Sequence, residues 1–82
     1  MTTGMTHNQA FGVALREQRL LKNKTQDNLA LDAGLDRTFI SLLELGRRSP
    51  TLDTMVQLSS ALQIPLSTLI LRVEELLAKP ND

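Results

Sequence analysis

The stretch Gln26-Asp27-Asn28-Leu29-Ala30-Leu31-Asp32-Ala33-Gly34-Leu35-Asp36-Arg37-Thr38-Phe39-Ile40-Ser41-Leu42-Leu43 decides the fold. Counting Gln26 as the first position, Ala30 is the fifth, Gly34 the ninth, Ile40 the fifteenth and Leu43 the eighteenth. Two helices that cross at roughly 90–120° through a short turn need a small side chain where their backbones approach, and Ala30 supplies it. The turn also needs positive φ, which glycine at position 34 accepts without strain. Ile40 and Leu43 then pin the second helix to the core, so that its opposite side stands outward. A helix held this way fits a groove about 12 Å wide, the width of the DNA major groove. An ordinary helical hairpin in a small bundle gives the same spacing, so spacing alone leaves both readings open.

Helical patterns continue on both sides of this stretch. Thr25 is the expected N-cap of the helix that ends at Ala33, with Leu29, Ala30 and Ala33 inward. Asp36 is expected to cap the next, running to Glu44 with Phe39, Ile40 and Leu43 toward the core. Upstream, a first helix covers about Gln9 to Lys22 with Phe11, Ala14 and Leu15 on one face, and Asn23-Lys24 breaks it. Downstream, Gly46 and the loop Arg47-Arg48-Ser49-Pro50 precede a fourth helix capped by Thr51, with Leu52, Met55, Val56, Leu58 and Leu62 as its buried side. Ile64-Pro65 interrupts the chain before a fifth helix from Leu66 to Ala78. Residues 1–8 carry no periodic pattern and are expected to form a disordered arm, residues 9–78 the domain, and 79–82 a tail.

Composition narrows the function. At 82 residues the chain has room for one core. Two Phe, no Trp and no Tyr leave that core to Leu, Ile, Val and Ala, which favours helices over a sandwich or barrel. The absence of cysteine excludes disulfides and thiolate chemistry. The single histidine, His7, lies in the arm without ligand partners, so no metal site is expected. Without clustered carboxylates suited to acid/base work, an enzyme is not expected, nor is a cofactor. The first ten residues lack the pattern of a signal peptide, and no apolar run approaches the roughly 18 residues of a membrane span, so a cytoplasmic protein without membrane contact is expected. Net charge is zero, but residues 1–48 hold seven Lys/Arg against five Asp/Glu and residues 49–82 hold two against four. That asymmetry permits a basic face in the first part.

The fifth segment is unusually apolar. Leu66, Leu69, Ile70, Leu71, Val73, Leu76 and Leu77 form a surface wider than the stripe one core-facing helix needs. Burial against the first and fourth helices is one outlet. Pairing with a second copy about a two-fold axis is the other, and it assigns Leu69, Ile70, Val73 and Leu77 to a homodimer interface.

The runs Phe11-Gly12-x-x-Leu15-Arg16-x-x-Arg19, Thr25-Gln26-x-x-Leu29-Ala30, Gly34-Leu35-Asp36-Arg37-Thr38-Phe39-Ile40-Ser41 and Leu43-Glu44-x-Gly46-Arg47-Arg48-x-Pro50-Thr51 together resemble the phage-repressor (Cro/XRE-type) helix-turn-helix family. The resemblance covers about residues 11–70, and the run from Asp36 to Ser41 is similar to the controller proteins of restriction–modification systems. It implies an all-α, lambda repressor-like bundle of five helices with a central helix-turn-helix. The implied function is sequence-specific binding of double-stranded DNA as a homodimeric transcriptional regulator on a palindromic operator, with no small-molecule ligand. By the same resemblance Gln26 bonds a phosphate, and Arg37 and Thr38 meet base edges at the start of the recognition helix. Ser41 is the next groove-facing position, and Arg47 and Arg48 grip the backbone. An arginine at position 37 can donate two hydrogen bonds to guanine O6 and N7; its plainer alternative is a solvated charge paired with Asp36. Arg19 and Glu44 are implied to form a partly buried structural ion pair.

Three features depart from the family pattern. Leu42 and Leu45 stand where relatives often carry polar or basic residues, and are suited either to thymine methyl groups or to a protein partner. Lys24 replaces an apolar residue. Zero net charge implies an affinity less dominated by phosphates than usual. A second class of function therefore stays open: an antitoxin-like or regulator-binding interaction module using Leu42, Leu45 and the last helix.

Overall fold

Threonines set where three of the helices begin. In the computed structural model, which describes residues 4–78, α1 spans His7–Leu21, α2 Gln26–Ala33, α3 Arg37–Glu44, α4 Leu52–Ala61 and α5 Leu66–Ala78. Thr6 Oγ1 accepts from the Gln9 backbone N–H at 3.1 Å, and Gln9 Oε1 accepts from the Thr6 backbone N–H at 3.0 Å. This reciprocal capping box satisfies two donors that a helix start leaves free, and it starts α1 at His7 rather than at Gln9. The expected arm thus ends sooner than residue 8; residues 1–3 of it, and the expected tail 79–82, lie outside the described residues. Thr25 and Asn28 form the same box on α2, and Thr51 caps α4 through the Thr54 N–H at 3.0 Å. Asp36 stands at the N-cap position of α3 with extended backbone, but its carboxylate makes no capping hydrogen bond.

The core gathers side chains from all five helical regions. Leu15, Leu29, Ile40, Leu43, Leu58, Leu62 and Leu69 are its largest fully buried members, joined by Phe11, Ala14, Ala30 and Ala33. α1 packs against α3 and α5, α2 against α3 and α4, and α4 against α5 across a 112° bend. Full burial of a leucine is worth roughly 1.5–3 kcal/mol, so these residues carry most of the drive to fold.

Two expectations need correction. Leu69 is completely buried in the monomer core and cannot lie at an interface with a second chain without leaving it. Along α4, the exposures of Leu52 and Val56, 64% and 50%, show that they face away from the core. Only Leu58 and Leu62 are fully buried there, with Met55 partly so. Residues 55, 58 and 62 follow one helical stripe, whereas 52 and 56 repeat on another side.

An ion pair ties α1 to α5. Arg72 donates from Nε to Glu17 Oε1 at 2.8 Å and from Nη2 to Glu17 Oε2 at 3.1 Å. These bonds from Arg72 hold the Glu17 carboxyl below its ordinary value of 4.5, against the opposing effect of burial. A carboxylate whose folded value is lowered stabilises the fold fully above its unfolded value, and that contribution disappears as pH falls through the folded one. Glu17→Gln is therefore expected to lower the thermal midpoint modestly at pH 7. The difference from the parent should close on acidification below about pH 4.5. A pH series of thermal melts checks this.

Candidate nucleic-acid interface

The turn between α2 and α3 is built by two backbone events. Gly34 adopts φ 71° and ψ 35°, the left-handed conformation that a side chain would strain. Leu35 N–H donates to Ala30 C=O at 2.9 Å and closes the turn. α3 leaves it with two unlike sides. Ile40 and Leu43 are fully buried, while Arg37, with 60% of its side chain exposed, and Thr38 face solvent. Ser41 and Leu42 are half-buried, and Leu45, just past the helix, is 58% exposed. Arg47 N–H donates to Leu42 C=O at 2.9 Å, so the chain folds back at once and sets the exposed Arg47 and Arg48 directly after α3.

Beneath this surface lies a charged network. Arg19 of α1 donates from Nε to Glu44 Oε2 at 2.6 Å and from Nη2 to Oε1 at 3.0 Å, while its Nη1 donates to the Lys24 carbonyl at 2.9 Å. The two side chains are only 10% and 5% exposed. The hydrogen bond to Glu44 raises the Arg19 pKa against the opposing effect of burial. Gln26 donates from Nε2 to Glu44 Oε1 at 3.0 Å. The half-buried Gln26 is therefore bonded inward, with part of its amide committed to the same carboxylate. This link joins the first residue of α2 to the last of α3. Lys24, the odd residue of the first turn, pairs with Asp32 at 2.5 Å at the surface.

Of the residues singled out from sequence, Arg37, Thr38 and Ser41 occupy one side of α3, and Arg19, Glu44 and Gln26 meet below it. Arg37 is paired, but with Asp27 of α2 (Nε to Oδ1, 3.3 Å) rather than with the adjacent Asp36. Sequence reading missed Asp27 because the contact crosses between two helices and has no signature in local spacing. Gly12 is read from sequence only as a motif position, without its packing role. A Cβ there would lie 2.5 Å from the Leu43 carbonyl oxygen and 2.6 Å from that of Glu44, so α1 meets the end of α3 backbone to backbone. The available signal was a glycine in the middle of a long helix, which costs about 1 kcal/mol against alanine unless packing requires it.

Two helices joined by a glycine turn, the second buried on one side and exposed on the other with Arg37 and Thr38 at its start, define a helix-turn-helix protein. Comparison with known proteins agrees. The helix-turn-helix family model matches residues 15–69. The control protein C.BamHI of Bacillus amyloliquefaciens is 42% identical over 55 residues, 66% of this chain and 68% of its own. The crystal structure of the restriction–modification controller protein C.AhdI from Aeromonas hydrophila is 37% identical, with a TM-score of 0.74 over 76% of this chain and 94% of its own. The clp gene regulator ClgR from Corynebacterium glutamicum has the same fold, with a TM-score of 0.88 at 24% identity over 93% of this chain and 81% of its own. The chain belongs to the Cro/XRE-type helix-turn-helix family of DNA-binding regulators, on the branch of the controller proteins.

Proposed function

We propose that the chain acts in the cytoplasm as a homodimeric transcriptional regulator of restriction–modification genes, with α3 of each copy in the major groove of a palindromic operator. The two-sidedness of α3 carries this reading: Ile40 and Leu43 are fully buried while Arg37 and Thr38 are held outward at its start. Arg37 donates to a guanine edge, and Thr38 and Ser41 meet neighbouring bases. Arg47 and Arg48 bind backbone phosphates from the following loop, and Gln26 binds one with whatever amide capacity its bond to Glu44 leaves.

Dimerisation falls to the outer side of α5. Leu71 is 58% exposed and Leu77 37%, and Ile70 and Val73 on the same helix are half-buried. Ile70 and Leu71 line a shallow groove with Ser67, Thr68 and Glu74. Leu69, turned inward, is replaced by Leu71 in this proposed interface. Selection of bound sequences from a random duplex pool tests the proposal. The expected product is a two-fold symmetric site whose halves lie about one helical turn, 10–10.5 base pairs, or a multiple of it, apart. A pool with no enriched sequence would contradict the operator reading and favour the alternative, an interaction module using Leu42, Leu45 and α5.

A further inference from the structure

We propose that Asp27 is a specificity-determining positioning residue: its carboxylate steers the Arg37 guanidinium so that the terminal nitrogens project toward a guanine. The inference rests on the reading of Arg37 as a base contact and concerns what aims it. Asp27 Oδ1 lies 3.3 Å from Arg37 Nε, with the two side chains 76% and 60% exposed. A guanidinium carries one N–H on Nε and four on its terminal nitrogens. The contact is an ion pair and not a directed hydrogen bond, and it lies on the Nε side of the guanidinium, away from the terminal nitrogens that would donate to O6 and N7 together.

Arg37 needs such a partner. It is the first residue of α3, at the positive end of the helix, where a cation is disfavoured. The neighbouring Asp36 forms no ion pair with it among the described residues, whereas Asp27 does. Asp27 also stands on a firm base. It follows Gln26, whose amide is bonded to the buried carboxylate of Glu44, so the start of α2 is tied to the end of α3. Arginine has a long, flexible side chain, and fixing its direction before DNA arrives reduces the ordering cost of binding.

Positioning and simple charge make opposite demands on Asp27. A carboxylate beside DNA repels phosphates, so if charge were all, its removal would strengthen binding to every sequence alike. If it aims Arg37, its removal weakens preference for the selected site. Kd is measured for the parent, Asp27→Asn, Arg37→Ala and the double variant, on the selected duplex and a random duplex at one salt concentration. Asp27→Asn is expected to reduce the ratio of random to selected Kd by about two- to fivefold, the range for an exposed ion pair. It should leave that ratio unchanged in the Arg37→Ala background. Asp27→Glu, which keeps the charge on a longer stem, should recover part of the loss. A ratio that Asp27→Asn leaves intact overturns the inference, whether or not both affinities rise. A ratio that Arg37→Ala itself leaves intact removes the base-contact reading, and this inference with it.

Discussion

Glu44→Ala is expected to destabilise the fold by about 3–5 kcal/mol, the usual consequence of leaving one charge of a buried pair without its partner. Arg19 would lose the bonds from Nε and Nη2 and keep only the one from Nη1 to the Lys24 carbonyl, with its side chain 10% exposed. Gln26 would lose its acceptor at the same time. Small domains are stable by roughly 5–15 kcal/mol in total, so the variant should sit near the edge of folding. Replacing both partners by apolar residues of similar size should recover much of the loss, because no charge is then stranded. Urea denaturation of Glu44→Ala and of the double replacement separates the two cases. A single variant within about 1 kcal/mol of the parent would place the pair among ordinary surface bridges.

Gly12→Ala is the second large effect. On an exposed helix this change stabilises by about 1 kcal/mol, since alanine is the better helix former. Here the new Cβ would lie 2.5 Å and 2.6 Å from the carbonyl oxygens of Leu43 and Glu44. Those atoms belong to the backbone of α3 and cannot rotate aside as a side chain can. α1 and α3 must separate, opening the seam that holds Phe11, Leu15, Ile40 and Leu43 together. Overpacking costs about 1–3 kcal/mol, and the upper end is expected because backbone opposes the new group. Denaturation midpoints decide between a loss of that size and the gain that helix propensity alone would give. The variant should also bind DNA less well, since α3 is displaced at its base.

The sequence disclosed most about the part of the fold whose chemistry is local. Gly34 at its turn, Ala30 at the crossing, and Ile40 with Leu43 on the inner side of α3 each leave a mark in residue type at fixed spacing. The outward placement of Arg37 and Thr38 follows directly from that pattern. Thr6 was less readable as a cap because His7 and Asn8 do not resemble the start of an apolar stripe; the cap works through Gln9.

Helix sides in apolar-rich segments were harder to assign. Leu52 and Val56 are as apolar as Leu58 and Leu62, and only the direction from which α2 and α5 approach decides which are covered. α5 poses the same difficulty. Its apolar residues exceed one stripe, and periodicity alone does not separate Leu69, which fills the monomer core, from Leu71, which faces outward. The pairing of Arg37 with Asp27, and of Gln26 with Glu44, depends on the angle between α2 and α3, so the residues become neighbours only after the turn is made.

Methylation interference on the selected duplex tests the role of the α3 outer face most directly. A methyl group on guanine N7 lies in the major groove and removes one acceptor from the edge that Arg37 is proposed to bind. Binding should be blocked by N7 methylation at one guanine in each half-site, and Arg37→Ala should lose that sensitivity while costing about 1–3 kcal/mol on the unmodified site. Binding indifferent to N7 methylation at every guanine, or interference that Arg37→Ala leaves unchanged, would contradict entry of this helix into the groove with Arg37 at its leading edge.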